Sequence, residues 1–431
     1  MRAASLSRVG SVSAASLEYP DLRAHGYVFE GHLGEGSQCE ELGCKLYRHL
    51  GAAAALSVPA QSGAVPPAAA AAAAAEALSA ARDAGVPDAG ALHAVKFMLL
   101  GCGREDRLAR MQREVVNLWR CDHRFISAIK SILIVHHRRA AALPGMPPRK
   151  SEYYLAIATE YCDGGELSTA LARGGRDERW RMERFAQLLS ALEYIHEDLR
   201  MCHRDLKLDN IMLKGPNEEV RVVDFGLSKG RGGNLEDGSD PKSSVGTPAY
   251  MAPEVLGSSG RNGDRYKGDK ADVWSLGVLL YFLRYHELPF GGVAGSAGRP
   301  EIGNLFTIIG SVRAMRFVGP RPMPWRSPSE DLIMRMLVRE PEQRYSIADI
   351  WGHEAMRPYV GYRHVGRHAR VEGQGALQSV TDAEMCFGQA VEIVRGLSEQ
   401  QRLQMAQQAT PAHEVDAIID DLQGGFDEGL L

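Results

Sequence analysis

The hydrophobic pattern of this chain changes period once, and that change constrains its fold more than any other feature. In the first third, apolar residues come in short β-type runs: Tyr27 to Phe29, Lys45 to Arg48, His93 to Met98, Ile129 to Val135 and Tyr153 to Ile157. Runs of this length and composition pair into a small antiparallel sheet. One helical pattern interrupts them from Arg104 to Trp119, where Leu108, Met111, Val115 and Leu118 recur at helical spacing. From Leu167 onward helices dominate, as in Met182 to His196 and Lys270 to Leu283. The expected class is α+β and bilobal: a small antiparallel β lobe with one helix, then a larger helical lobe. The best apolar run, Val273 to Leu283, falls short of the roughly 18 residues that cross a bilayer, so no membrane span is expected.

Two segments break the pattern. Residues 51–91 carry Pro66-Pro67 and an unbroken run from Ala68 to Ala75. This low-complexity insertion has helical propensity but no apolar stripe to dock it, and it reads as solvated. Residues 138–150, rich in Ala, Pro and Arg, read as a loop insertion. Residues 1–24 hold five serines with Arg2 and Arg8 but no apolar secretory core, and read as a disordered N-terminal extension or a transit peptide. Fifty Lys and Arg against 54 Asp and Glu give a net charge of −4, without the basic excess of a general nucleic-acid binder. Seven scattered cysteines without a C-x-x-C pair argue against a disulfide framework and a zinc site. The expected location is a reducing intracellular compartment, cytoplasm and/or nucleus.

The chemistry lies in an ordered set of short motifs. Leu33-Gly34-Glu35-Gly36 is a weak phosphate-loop signal alone, but His93-Ala94-Val95-Lys96 follows on a strand, and then Arg113-Glu114 on the helix. Further on stand His203-Arg204-Asp205-Leu206-Lys207-Leu208-Asp209-Asn210, Asp224-Phe225-Gly226 and Ala252-Pro253-Glu254. Each tripeptide arises by chance; the ordered set does not. It resembles the eukaryotic protein kinase family from Tyr27 to Pro358. Lys207, two places after Asp205, and the segment from Gly246 to Glu254 resemble the serine/threonine branch. Within it the chain is most similar to the sucrose-non-fermenting-related kinases of plants and algae, subclass two. The resemblance implies a protein-kinase-like fold over 25–358, with 359–431 as an acidic C-terminal regulatory tail.

It also implies ATP and Mg²⁺ as cofactors, and roles for particular residues. Transfer of a phosphoryl group demands charge neutralisation and positioning more than covalent work. Lys96, held by Glu114, would bind the α- and β-phosphates while Gly34 and Gly36 allow close backbone approach. Asn210 and Asp224 supply hard oxygen ligands for Mg²⁺. Asp205 would orient the acceptor hydroxyl, Lys207 would offset charge on the moving phosphoryl group, and Thr247 would help hold that pair. Glu160, Tyr161 and Cys162 form the expected adenine-presenting hinge after Thr159, with Leu33, Ala94 and Met212 around the base and Glu166 at the ribose or a basic substrate residue. Glu166 and Asp209 suggest basic substrate residues upstream of the target; Phe282, where strongly basophilic relatives carry an acid, argues against them. In the glycine loop Cys39 takes the third glycine's place and Glu41 stands near the usual valine, with Gly43 able to restore the turn in a shifted register.

Partners implied are proteins with Ser or Thr acceptors, in stress or metabolic signalling, and an upstream kinase or phosphatase acting on the activation loop and tail. Ser239 and Ser243 match the subfamily's phosphorylation pattern, with Ser244 adjacent, and a phosphate there would pair with Arg204. Residues 374–431 hold ten Asp and Glu against two Arg, and their apolar clusters suggest docking helices. Ser11, with Arg8 and Leu6 before it, fits an autophosphorylation site. The alternative to an active enzyme is a nucleotide-binding pseudokinase scaffold, which the altered glycine loop favours and the complete Lys96, Asp205, Asn210 and Asp224 set opposes. His203, Asp272 and Trp274 read as scaffold, and Arg344 as the buried partner of Glu254.

Overall fold

The computed structural model describes residues 22–34, 44–50, 67–86, 88–100, 105–138, 151–225, 228–230, 248–257, 267–291, 293–294, 300–301, 305–318 and 327–365. The N-terminal extension up to residue 21, the loop 139–150, the tail beyond 365 and Ser11 lie outside them.

The small lobe is a five-stranded antiparallel sheet in the order β1-β2-β3-β5-β4. Its strands are β1 (Tyr27–Gly34), β2 (Cys44–His49), β3 (Leu92–Leu100), β4 (Ile129–Arg138) and β5 (Ser151–Glu160). Every β-type run of the sequence falls on one of them. Tyr47, Val95, Phe97, Tyr154 and Ala156 are buried together in one apolar cluster of the lobe, as the alternation of a half-buried sheet requires. Arg138 pairs with Ser151, so the 138–150 insertion joins β4 and β5 as a hairpin connection.

The other insertion departs from expectation. Residues 67–83 form helix α1 (Pro67–Asp83), and it docks. Ala77 and Ala81, four residues apart on one helical face, are buried against Val28 of β1 and Leu50 after β2, with Ala74, Leu78, Val86 and Ala89 at the rim. Small side chains need no wide apolar stripe, because they let the helix backbone approach the sheet closely. The turn after α1 returns to the sheet through Gly90 N to His49 O at 2.7 Å and His49 N to Ala91 O at 2.9 Å.

Helix α2 (Glu105–Arg120) follows β3 and buries Val115, Leu118 and Trp119. The large lobe holds α3 (Leu167–Ala172), α4 (Glu178–Glu193), α5 (Pro253–Gly257), α6 (Gly268–Tyr285), α7 (Leu305–Arg313), α8 (Pro328–Met336) and α9 (Ile347–Gly352). Helix α6 is apolar on all sides and buried from Ala271 to Leu283, which makes it the central post of this lobe. Three short strands, β6 (Gly165–Glu166), β8 (Ile211–Lys214) and β9 (Glu219–Val222), form a sheet next to the β5 end; β7 (Met201–Cys202) pairs separately with Lys229–Gly230. Arg344 is fully buried, with Nη1 and Nη2 on the Glu254 carboxylate at 2.8 and 3.0 Å.

A polar cluster sits inside the small lobe. The His93 and His49 rings stack at 5.8 Å, Tyr27 Oη shares a hydrogen bond with Ser131 Oγ at 2.7 Å, and His93 Nδ1 lies 3.3 Å from Tyr27 Oη. Burial, then the charges of His49 and Lys130, hold His93 down to about 4. The unfolded chain takes up this proton first as pH falls below about 6.5, so His93 contributes full stability above that value and loses it between about 6.5 and 4. The loss amounts to about 3 kcal/mol. Urea denaturation across this window should show His93→Phe losing less stability on acidification than the parent; equal slopes would refute the assignment.

Candidate active site

Three strands build the roof of the cleft. Gly34 pairs with Cys44 and Cys44 with Lys96, so these three residues form one rung across β1, β2 and β3. Ala94, two positions before Lys96, shares its face. The register puts Cys44 opposite Lys96. Leu33 stands at the exposed end of β1. Cys39, Glu41, Gly43 and Gly36 lie outside the described residues, as do Thr247, Ser239, Ser243 and Ser244.

Lys96 Nζ donates to Glu114 Oε1 at 2.6 Å, with Glu114 turned inward on the same helical face as Leu118. Burial pushes the Glu114 carboxyl upward, Lys96 pulls it back and the charge of Asp224 raises it again.

The loop from His203 to Asn210 hangs from one carboxylate on α6. Asp272 Oδ2 accepts from His203 N and His196 Nε2, and Oδ1 from Arg204 N, all at 2.8 Å. This anchoring sustains Arg204 at φ 69°, a left-handed backbone that costs such a residue roughly 1–2 kcal/mol; Asp224 stands in the same region at φ 65°, which aspartate and asparagine enter more readily. His203 is fully buried, its ring 4.9 Å from that of Phe225, and its Nδ1 accepts from Asp205 N at 3.3 Å. Burial pushes it below the ordinary histidine range, so it is a neutral scaffold. His196, Cys202 and Asp272 converge with donor atoms within 4.8 Å of one another, but Asp272 is already committed to three donors.

Asp205, Lys207 and Asn210 are all buried and form one group. Lys207 Nζ is 2.9 Å from Asp205 Oδ2, and Asn210 Nδ2 donates to Asp205 O at 2.8 Å and Oδ2 at 3.2 Å. Those bonds commit the Asn210 amide nitrogen inward and leave Oδ1 as the atom for a cation. Val223 N donates to Asn210 O at 2.9 Å, which brings the Asp224 segment alongside. An amide oxygen and a carboxylate, with no thiolate or imidazole, suit a hard divalent cation such as Mg²⁺.

The hinge leaves β5. Thr159 Oγ1 donates to Ala94 O at 3.4 Å and Tyr161 N to Leu92 O at 3.2 Å. Burial, reinforced by the charge of Glu160, pushes the Cys162 thiol up to about 12, so it carries no thiolate at neutral pH. Met212 pairs with Glu166 across β8 and β6 on the floor, and Glu166 Oε2 accepts from Ser168 Oγ at 3.3 Å. Only glycine fits at position 164: an added Cβ would lie 2.7 Å from Leu213 O. Sequence reasoning missed two tethers. Asn117 Nδ2 on α2 donates to Ser228 O at 2.9 Å, and the Glu160 side chain is bonded to Lys214, Arg221 and Ala128 N rather than open to the cleft. Nothing in the sequence marks Asn117; for Glu160 the only signal is the pair of cations at alternate ends of the β8–β9 hairpin.

Residues 80–356 match the family described as Protein kinase domain. The chain is 32% identical over 266 residues to serine/threonine-protein kinase SRK2F of Arabidopsis thaliana, covering 61% of this chain and 66% of the relative. It is 34% identical over 264 residues to SAPK3 of Oryza sativa subsp. indica, covering 61% and 69%, and 34% over 265 residues to SRK2A of Physcomitrium patens, covering 61% and 66%. The matched part thus spans about two thirds of each relative's length.

Proposed function

This chain belongs to the protein kinase family, in its serine/threonine branch, and from that premise we propose that it transfers the γ-phosphoryl group of Mg·ATP to Ser and Thr hydroxyls of protein substrates. The observation that supports this reading is the Asp205–Lys207–Asn210 group, with the Val223 backbone bonded to Asn210 O beside it and the Lys96–Glu114 pair formed in the small lobe. Asn210 and Asp224 would hold Mg²⁺, which would supply neutralising charge for the phosphates. Lys96 orients the α- and β-phosphates, its ammonium kept in place by Glu114. Asp205 accepts a hydrogen bond from the acceptor hydroxyl and holds it in line, and Lys207 balances charge on the transferring group. Leu33, Ala94, Met212 and the 160–162 backbone receive the base, and Glu166 the ribose. Gly34 and Gly36 lower the loop onto the phosphates, and Thr247 steadies Asp205 and Lys207.

The catalytic unit in this reading is 25–358 and the acidic tail 359–431 is regulatory, with an upstream kinase acting at Ser239, Ser243 or Ser244 and the product phosphate paired to Arg204. Its place is in signalling within the cytoplasm or nucleus; among the described residues no helix is long and apolar enough to cross a membrane. The test is transfer of labelled phosphate from ATP to a Ser/Thr peptide library. Phosphoserine or phosphothreonine formed with Mg²⁺ and lost on chelation supports the reading, and phosphopeptide mapping of the active chain reads Ser243 in the same experiment. Nucleotide binding without transfer would overturn it in favour of a scaffold.

A further inference from the structure

The buried carboxylate of Glu160 has no part in the chemistry above, yet it is the most heavily bonded acid of the hinge. Its Oε1 accepts from Ala128 N at 3.0 Å and from Arg221 Nε at 3.1 Å, and its Oε2 pairs with Lys214 Nζ. The three donors come from three places: the lead into β4, and strands β9 and β8 of the large lobe. The backbone doubles the first of these contacts, because Glu160 N donates to Ala128 O at 3.0 Å. The lead into β4 is itself stitched to β9 by Ser127 N to Val222 O at 2.9 Å and Val222 N to Phe125 O at 2.8 Å. Arg124 and Glu219 extend the charge network, with Arg124 Nε 3.1 Å from Glu219 Oε2 and Glu219 Oε2 3.5 Å from Arg221 Nη1.

Glu160 is only 9% exposed, so its charge must be compensated locally. Both compensating cations lie on the β8–β9 hairpin. Any rotation of the hinge against that hairpin therefore draws the buried carboxylate away from its two cations. A recognition surface held in shape before its ligand arrives loses less free energy on binding.

We propose that Arg221 and Lys214 are positioning residues for the nucleotide: through the Glu160 carboxylate they fix the backbone of residues 160–162 in the shape that accepts the base, without touching the nucleotide themselves. This assignment rests on reading those residues as the adenine-presenting hinge. It predicts a loss confined to base recognition, since the bonds of Lys214 and Arg221 run to Glu160, Glu219 and Val220 O.

The probes are adenosine, which reads the hinge alone, and Mg·ATP, with the full chain used throughout. Arg221→Met should weaken both by about tenfold, the worth of one buried charge-assisted bond, while kcat at saturating Mg·ATP stays within about twofold. Hydrogen exchange at amides 160–162 should quicken, and Arg221→Lys should restore most of the affinity. Lys214→Met, which removes a partly exposed ammonium, carries the same test should Arg221→Met fail to fold. Unchanged adenosine affinity and unchanged hinge exchange in a chain that still binds Mg·ATP would overturn this assignment alone. A parent chain that binds no Mg·ATP would overturn the functional reading as well.

Discussion

Asp224→Asn is expected to leave the chain folded while lowering phosphoryl transfer by about 10³-fold or more, equivalent to about 4 kcal/mol of transition-state stabilisation. The substitution keeps shape and removes charge. Asp224 already holds a left-handed backbone, and asparagine is among the few residues that tolerate it, so the fold should bear the change. What disappears is a full negative charge beside Asn210, and with it most of the attraction for a divalent ion. The charge that raises Glu114 also disappears, so the Lys96–Glu114 pair should tighten slightly. Steady-state transfer assays at several Mg²⁺ concentrations, alongside circular dichroism, measure both sides. A variant retaining more than about one tenth of parent kcat would remove Asp224 from the metal site.

Arg344→Met should destabilise the large lobe by about 4 kcal/mol, the cost of stranding one partner of a buried ion pair. The guanidinium reaches Glu254 with two nitrogens and also donates to Val338 O at 3.0 Å and Lys270 O at 2.6 Å, with its carbon 5.2 Å from the Trp274 ring centre. Methionine fills the volume but satisfies none of those oxygens. Glu254 opens α5, directly after the segment expected to dock substrate, so peptide affinity should fall together with stability. Urea unfolding followed by tryptophan fluorescence reads the first effect. A loss below about 1 kcal/mol would mean that solvent reaches Glu254 readily and that the pair contributes little.

Much of this architecture was written in local patterns. Five β-type runs became five strands because each is a short stretch of apolar, aromatic and β-branched residues that packs well on a pleated sheet, and the α2 periodicity carried Glu114 inward with Leu118. The Arg344–Glu254 pairing was also legible, since the family resemblance joined two residues that spacing alone could not. Helix α1 was not: alanine lacks the bulk from which periodicity is read, and its docking depends on a sheet surface the local sequence does not describe. The Asp272 anchor was expected only as scaffold, because three bonds converging on one carboxylate from distant segments leave no local trace. The Cys44 register was hidden behind the altered glycine loop, and the Glu160 network left no trace because the hinge reading concerned only its backbone.

Helix α1 also bears on how this protein reaches its native state. Arg48 faces Leu92 across β2 and β3, a pairing that a tight turn would close within microseconds. Here the chain must first travel through the whole inserted segment, so the central ladder of the small lobe becomes a long-range contact with a larger loop-closure entropy. The zipping of β2 onto β3 should then be slow for a hairpin, with the seating of Ala77 and Ala81 on Val28 and Leu50 closing the inserted segment against the sheet.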